Sequence, residues 1–99
     1  MYNIEYFSRA REDLLEIEIY FDSIDPRLTN KILLALRERA QDLETMPLRH
    51  PKYIHRPEYR VVGTHNYLIF YVVIEQTKTI EIRRILHSAR NLENEIHNY

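Results

Sequence analysis

Cysteine is absent from the chain, so disulfides and thiolate metal centres are excluded, nothing asks for an oxidising compartment, and the cytoplasm is the expected location. Glycine occurs once and proline four times, which leaves no stretch that reads as a flexible linker. Neither sign of charge dominates: 14 basic residues stand against 15 acidic ones, for a formal net charge of -1. A protein that grips nucleic acid through many phosphates needs a larger basic excess than that. Long apolar runs are missing too. The longest, Tyr67–Ile74, is too short to cross a bilayer, and the opening MYNIEYFSRARED carries no apolar signal core, so neither a membrane span nor export is expected.

What remains is the material of one compact domain. Ninety-nine residues bury roughly 65% of their unfolded surface, and 44% hydrophobic with 29% charged residues fits a two-layer globular fold. Tyrosine is abundant, with eight copies. The charge is unevenly spread: residues 1–45 hold 6 basic and 10 acidic side chains, residues 46–99 hold 8 and 5. An acidic helical side opposite an anion-facing side follows from that split.

YNIEYF alternates and is rich in aromatic and β-branched residues, predicting a first strand that stops at Ser8, with Ser8 as the helix N-cap. Ala10, Leu14, Ile17, Phe21 and Ile24 then recur at helical steps on one inward face, predicting a helix to about Ser23. Asp25-Pro26 starts a second helix, because Asp caps and Pro has no amide hydrogen to lose at the first position. Its stripe is Leu33, Leu36, Ala40 and Leu43, flanked by Ile32 and Ala35, and Pro47 ends it near Thr45. PLRHPKYIHRP (47–57) reads as an exposed loop. Tyr59 to Val62, the run YLIFYVVI and Thr79–His87 read as an antiparallel meander with turns at 63–66 and 75–78. The lone Gly63 is assigned to a turn needing positive φ. A weak helical spacing through Leu92 and Ile96 closes the chain. The fold class is α+β, a single domain over 1–99: N-terminal strand, antiparallel helical hairpin, three-stranded antiparallel meander, short C-terminal helix. One sheet face is left for a partner or for the chain's own tail.

Several residues carry chemistry. Arg60, Arg84, His87 and Arg90 can converge at one end of the sheet, either as a cluster suited to a phosphate or an acidic partner or as solvated sheet ends and ion pairs. Arg83 and Arg84, being adjacent in a strand, point to opposite faces, and at least one should lie on apolar surface with its head on Glu81 or a helix carboxylate. Lys52, Tyr53, Arg56 and Tyr59 interleave cations with aromatics, as nucleic-acid surfaces do; the plainer reading is a proline-braced loop covering the core edge. His50 and His55 stand five apart in a loop with no cysteine or flanking carboxylate, so no metal site and no cofactor is expected.

EYRVVGTHNYLIFYVV followed by TIEIRRILHSARNLENEI resembles the RelE/ParE superfamily of type II toxin–antitoxin toxins, with its YR strand, tyrosine-rich central strand and arginine-rich LHxxR ending. The likeness extends over nearly the whole chain, through the opening strand, the AREDLLEI helix and the Met46-Pro47 helix exit. It implies the α+β toxin fold and neutralisation by a cognate antitoxin whose segment adds a helix or strand over the sheet. Two activities are found in the superfamily: inhibition of DNA gyrase by binding, and ribosome-dependent cleavage of mRNA. In the nuclease branch an arginine follows the first tyrosine of the central strand; here Leu68 follows Tyr67. A Lys-x-Lys pattern seen in some nucleases is likewise absent from Tyr59-Arg60-Val61-Val62. The segment LHSARN looks like the ParE-type ending, with Asn91 in place of the usual acid. The resemblance therefore leans to gyrase inhibition, with Lys52, Tyr53, Arg56, Arg60, Arg84, His87 and Arg90 as target-binding residues. The alternative is an mRNA endonuclease using Arg60, Arg84, His87, Arg90 and Tyr99, with ribosome and message as partners.

Overall fold

The computed structural model describes residues 1–97, and the side chains of residues 1–96. The element order is β1 (Asn3–Tyr6), α1 (Ser8–Asp22), α2 (Pro26–Gln41) with a short 3-10 turn (Asp42–Glu44), β2 (Lys52–Tyr53), β3 (Arg56–Thr64), β4 (Tyr67–Ile74), β5 (Thr79–His87) and α3 (Leu92–His97). The strands form one sheet in the order β1-β5-β4-β3-β2. The meander is antiparallel throughout, and β1 joins its far edge parallel to β5, from Asn3 opposite Thr79 to Tyr6 opposite Ile82. The α+β fold expected from the sequence is present. No helix is long and apolar enough to cross a membrane among the described residues.

Local chemistry explains most boundaries and corrects four readings. Asp25 caps α2 as expected, its carboxylate accepting from the Arg27 amide at 3.0 Å with Pro26 in the first turn. Ser8, by contrast, is already helical: Phe7 holds the extended cap position with no side-chain hydrogen bond. The helix stops at Asp22, and Ile24, assigned to its buried face, is 56% exposed. Gly63 does not take positive φ. That role falls to His65 and Asn66, at φ 51° and 66°, the two central residues of a tight hairpin between the paired Thr64 and Tyr67. Both being left-handed matches the turn whose twist suits a hairpin. Gly63 instead sits in β3, where an added Cβ would lie 3.2 Å from a methyl of Leu68. The segment read as a loop over 47–57 contains β2 and the start of β3, too short and too proline-rich to show a period.

The two sheet faces carry different cores. On one, Ala10, Ile17, Leu36, Ala40 and Leu43 of the helical layer meet Val62, Tyr67, Ile69, Tyr71, Ile80, Ile82 and Ile85. On the other, Tyr59, Phe70, Leu86 and Ile96 are fully buried together, with Tyr53, Val61, Leu68, Val72 and Leu92 around them. The central strand is thus covered on both sides, as a strand apolar on both faces must be. It is the chain's own α3 that supplies the second cover. In β5 the ladder slips by one residue, Phe70 pairing with Arg84 but Tyr71 with Ile82, so that Arg83 is an extra residue and strict alternation lapses there.

Candidate functional site

Arg84 anchors the region where the cationic cluster was expected, but it is a buried strut, 1% exposed. Its Nε and Nη2 donate to the two carboxylate oxygens of Asp13 on α1 at 2.8 and 3.0 Å, and its Nη1 donates to the Glu95 carbonyl on α3 at 3.3 Å. Asp13 also accepts from the Ile85 amide at 2.9 Å. The cause is topological. The last ladder bond of β1 runs from the Phe7 amide to the Ile82 carbonyl, so beyond it the β5 edge has no strand partner, and a helix carboxylate takes the next amide. Arg83 goes elsewhere, donating to Glu81 at 2.7 Å and lying 4.4 Å from the Phe7 ring. Both arginines thus meet the expectation of a structural partner, one on Glu81 and one on a helix carboxylate.

Beside Asp13 and Ile85 lies a small cleft of about 150 Å³, lined also by Glu16, Ile17, Tyr20, Tyr67, His87 and Arg90. His87 packs edge-on against Tyr67, with ring centres 5.2 Å apart, and its Nδ1 accepts from the Ala89 amide at 3.1 Å. That bond leaves the proton of the neutral ring on Nε2. Arg90 donates to Glu95 at 3.0 Å. Burial pushes the Tyr67 phenol above its ordinary range; nearby Tyr20 adds to this and Arg90 opposes it.

Arg60 is not part of this group. It pairs with Tyr71, four positions along β4 from the Tyr67 that faces His87, or about 13 Å. Its Nη1 donates to the carbonyls of His50 at 2.7 Å and Leu48 at 3.2 Å. Tyr71 donates to the Pro47 carbonyl at 2.6 Å. Together they pin residues 47–50 to the sheet, so the expected four-residue cluster resolves into His87 with Arg90, a buried Arg84 below, and a distant structural Arg60.

The pinned segment presents a mixed surface. Arg49 and Lys52 are exposed there, and so are Met46, Leu48 and Ile54, the last at 84%. Tyr53 turns inward, its ring edge-on to Phe70 at 5.2 Å. Arg56 bonds Glu58 at 3.0 Å and the Ile96 carbonyl at 3.1 Å, clipping α3 to the sheet. Here the plainer reading of Tyr53 and Arg56, as cover for the core edge, describes their contacts; Lys52 alone of the three is fully exposed. Leu68 is half-buried in the second core, beside Phe70 and Leu86. Tyr99 lies outside the described residues.

A larger groove of about 520 Å³ opens between the helices. Its lining includes Leu14, Leu15, Leu33, Leu36 and Ile85, with Tyr6, Arg11, Glu18 and Arg37. Burial raises the Tyr6 phenol, against an opposing pull from Arg37. Sequence reasoning passed over both this groove and Asp13. An acid at position 13 falls between Ala10 and Ile17 on the apolar face of α1, and that misplaced charge was the available signal for a buried partner.

Comparison with known proteins places the chain. The model for the ParE toxin of the type II toxin–antitoxin system parDE matches residues 4–92. Among solved structures, the toxin–antitoxin complex RelBE2 from Mycobacterium tuberculosis matches at 27% identity, covering 87% of this chain and 96% of that one, with TM-score 0.64. The chromosomal ParDE system of P. aeruginosa matches at 19% identity over 88% and 96%, with TM-score 0.77. The isolated E. coli RelE toxin matches at 13% over 99% and 97%, with TM-score 0.64. No curated protein matches significantly. The chain belongs to the ParE toxin family of the RelE/ParE superfamily, and is a toxin of a type II toxin–antitoxin system.

Proposed function

We propose that this toxin arrests growth by binding DNA gyrase rather than by cutting RNA, and that a cognate antitoxin neutralises it. The observation carrying this reading is the surroundings of Leu68. Cleavage by a 2′-hydroxyl needs a cation at the scissile phosphate and groups to accept and donate protons. At the position where the nuclease branch has its arginine, this chain packs a leucine into an apolar cluster with Phe70 and Leu86. Arg84 is committed to Asp13 and Glu95, and Arg60 to two backbone carbonyls. The exposed surface on the pinned segment mixes Arg49 and Lys52 with Leu48 and Ile54, a composition suited to a protein partner. Lys52, His87 and Arg90 are the proposed contacts whose side chains reach the surface; Tyr53, Arg56, Arg60 and Arg84 act by holding that surface in place.

The cleft of His87, Arg90 and Tyr67 favours a second reading, mRNA cleavage on the ribosome, because it joins an imidazole to a cation and a phenol. The two separate cleanly. Purified protein should block supercoiling by gyrase, while programmed ribosomes read by primer extension should show no codon-placed cuts. Cuts that appear with gyrase untouched, and vanish on His87→Ala or Arg90→Ala, establish the second reading instead.

A further inference from the structure

Many cations of this chain meet an acid: Arg27 lies 3.0 Å from Asp25, Lys78 3.1 Å from Glu75 and Arg83 2.7 Å from Glu81. One corner of the sheet breaks that habit. Among the described residues, Arg39, Arg49, Lys52 and Arg60 have no carboxylate within ion-pair distance. The topology holds them together. Lys52 and Arg60 stand directly opposite on β2 and β3, so their side chains leave the sheet on one face, a like-charge placement that costs stability. Arg60 then donates to the carbonyls of Leu48 and His50, on either side of Arg49. Those carbonyls satisfy its donors but leave its positive charge uncancelled. Arg39, in the last turn of α2, donates to the Gly63 carbonyl at 3.3 Å, three positions along β3 from Arg60, or about 10 Å. His50 registers the result: its imidazole is held below its ordinary range by burial and then by Arg39 and Arg49, with Asp42 pulling the other way. The free chain gains nothing from such a cluster, which calls for an anion brought to it.

We infer that Arg39, Arg49 and Lys52 form a phosphodiester-binding corner that takes about two or three adjacent backbone phosphates of the duplex DNA held by gyrase. The choice of duplex DNA rests on the gyrase reading and deepens it, because the target then includes the nucleic acid as well as the enzyme. Planar forks on the two arginines and a point charge on the lysine suit phosphate oxygens. A DNA strand also offers its charges in a row with no opposite charge between them, and this corner does the same in the other sign. The formal net charge of -1 rules out a long phosphate track, but a contact of this size needs none. Leu48 and Ile54, exposed beside the cations, remain for the protein part of the target.

The test is binding of the full-length protein to a labelled duplex of about 20 base pairs, read by fluorescence anisotropy without gyrase. At about 50 mM salt the unaltered chain should bind with a Kd on the order of 10–100 μM, and log K should fall against log salt with a slope of about −2 to −3. Arg39→Gln, Arg49→Gln and Lys52→Gln should each weaken binding about three- to tenfold and take about 0.9 off the magnitude of that slope. Arg11→Gln with Arg37→Gln removes two exposed cations of the helical layer that also lack an acid, and should change neither. Urea midpoints equal to the parent's separate lost binding from lost folding. Duplex should also raise the pKa of His50, followed by proton NMR, because phosphates cancel the pull of Arg39 and Arg49. No saturable binding, or a loss shared equally by the helical pair, overturns the corner. Single-stranded RNA of the same length binding about tenfold tighter overturns its assignment to duplex DNA. If gyrase is inhibited although duplex does not bind, the corner falls and the gyrase reading stands. If duplex binds through the corner and gyrase is untouched, the gyrase reading falls and the corner stands.

Discussion

The pair Asp13 and Arg84 joins residues seventy-one positions apart and ties α1 to β5 inside the core. Both side chains are 1% exposed, and the carboxylate also serves the Ile85 amide. Asp13→Ala would leave a guanidinium and a backbone amide buried without that partner, and such losses cost about 3–5 kcal/mol. Urea unfolding followed by circular dichroism should therefore show a large fall in midpoint. Adding Arg84→Met should recover much of it, because removing both charges spares the desolvation cost; a double variant no better than Asp13→Ala would show the pair is not the source. Tyr71 gives a second case. Burial drives its phenol from 10.0 to about 12, with Arg60 and Arg49 pulling the other way. A raised acid keeps its proton longer in the folded state than in the unfolded one. Its contribution is complete below pH about 10 and is lost as pH climbs toward about 12. Tyr71→Phe should accordingly flatten the fall in stability across that interval, measured as the difference between the two chains' urea midpoints. The same substitution also strips the Pro47 carbonyl of its donor, lowering stability at neutral pH by about 1–2 kcal/mol.

Among the elements, α3 depends most on its surroundings. A helix of this length does not persist alone, and its hold comes from Ile96, fully buried against Tyr59, Phe70 and Leu86, with Arg84, Arg90 and Arg56 clipping its polar groups. Ile96→Ala should cost about 2–4 kcal/mol. It should also raise amide exchange in α3 and around Phe70 and Leu86 ahead of the helical hairpin; uniform loss of protection would mean α3 is not a separable unit. What the sequence made legible follows the same division between local and distant causes. Asp25-Pro26, the leucine stripe of α2 and the apolar run of β4 each write their structure in adjacent residues, and all three stand as read. The parallel pairing of β1 with β5 joins the first strand of the chain to the last, and no local pattern encodes it. Gly63 misled because glycine is only one way to build a left-handed turn, and His65 with Asn66 served. The site was less legible. Arg84 was read as a contact residue, but it is buried on a carboxylate that lies on another element, and the slip at Arg83 breaks the alternation used to aim it.

Taken whole, the molecule covers with its own tail the sheet face that was left for a partner or for that tail, and this moves the candidate target surface to the edge. The segment after Pro47 crosses from the helical layer to β2 and is held by Tyr71 and Arg60 through three backbone carbonyls. A connection fixed this firmly to the sheet presents its outward side chains at low entropic cost, the arrangement in which loops carry binding. Arg49 and Lys52 are exposed upon it, next to Leu48 and Ile54, on the more basic half of the chain. If gyrase is met here, Arg49→Glu with Lys52→Glu should raise the concentration needed to block supercoiling several-fold near 50 mM salt. The effect should shrink near 300 mM, where screening falls to about 6 Å. Ile54→Asp should raise it at both salts, because its share is apolar. Urea midpoints within about 0.5 kcal/mol of the parent would assign these changes to binding and not to folding. Inhibition untouched by all three substitutions would move the contact off this edge and toward the His87 and Arg90 cleft, which Arg90→Ala in the same reaction would then reveal.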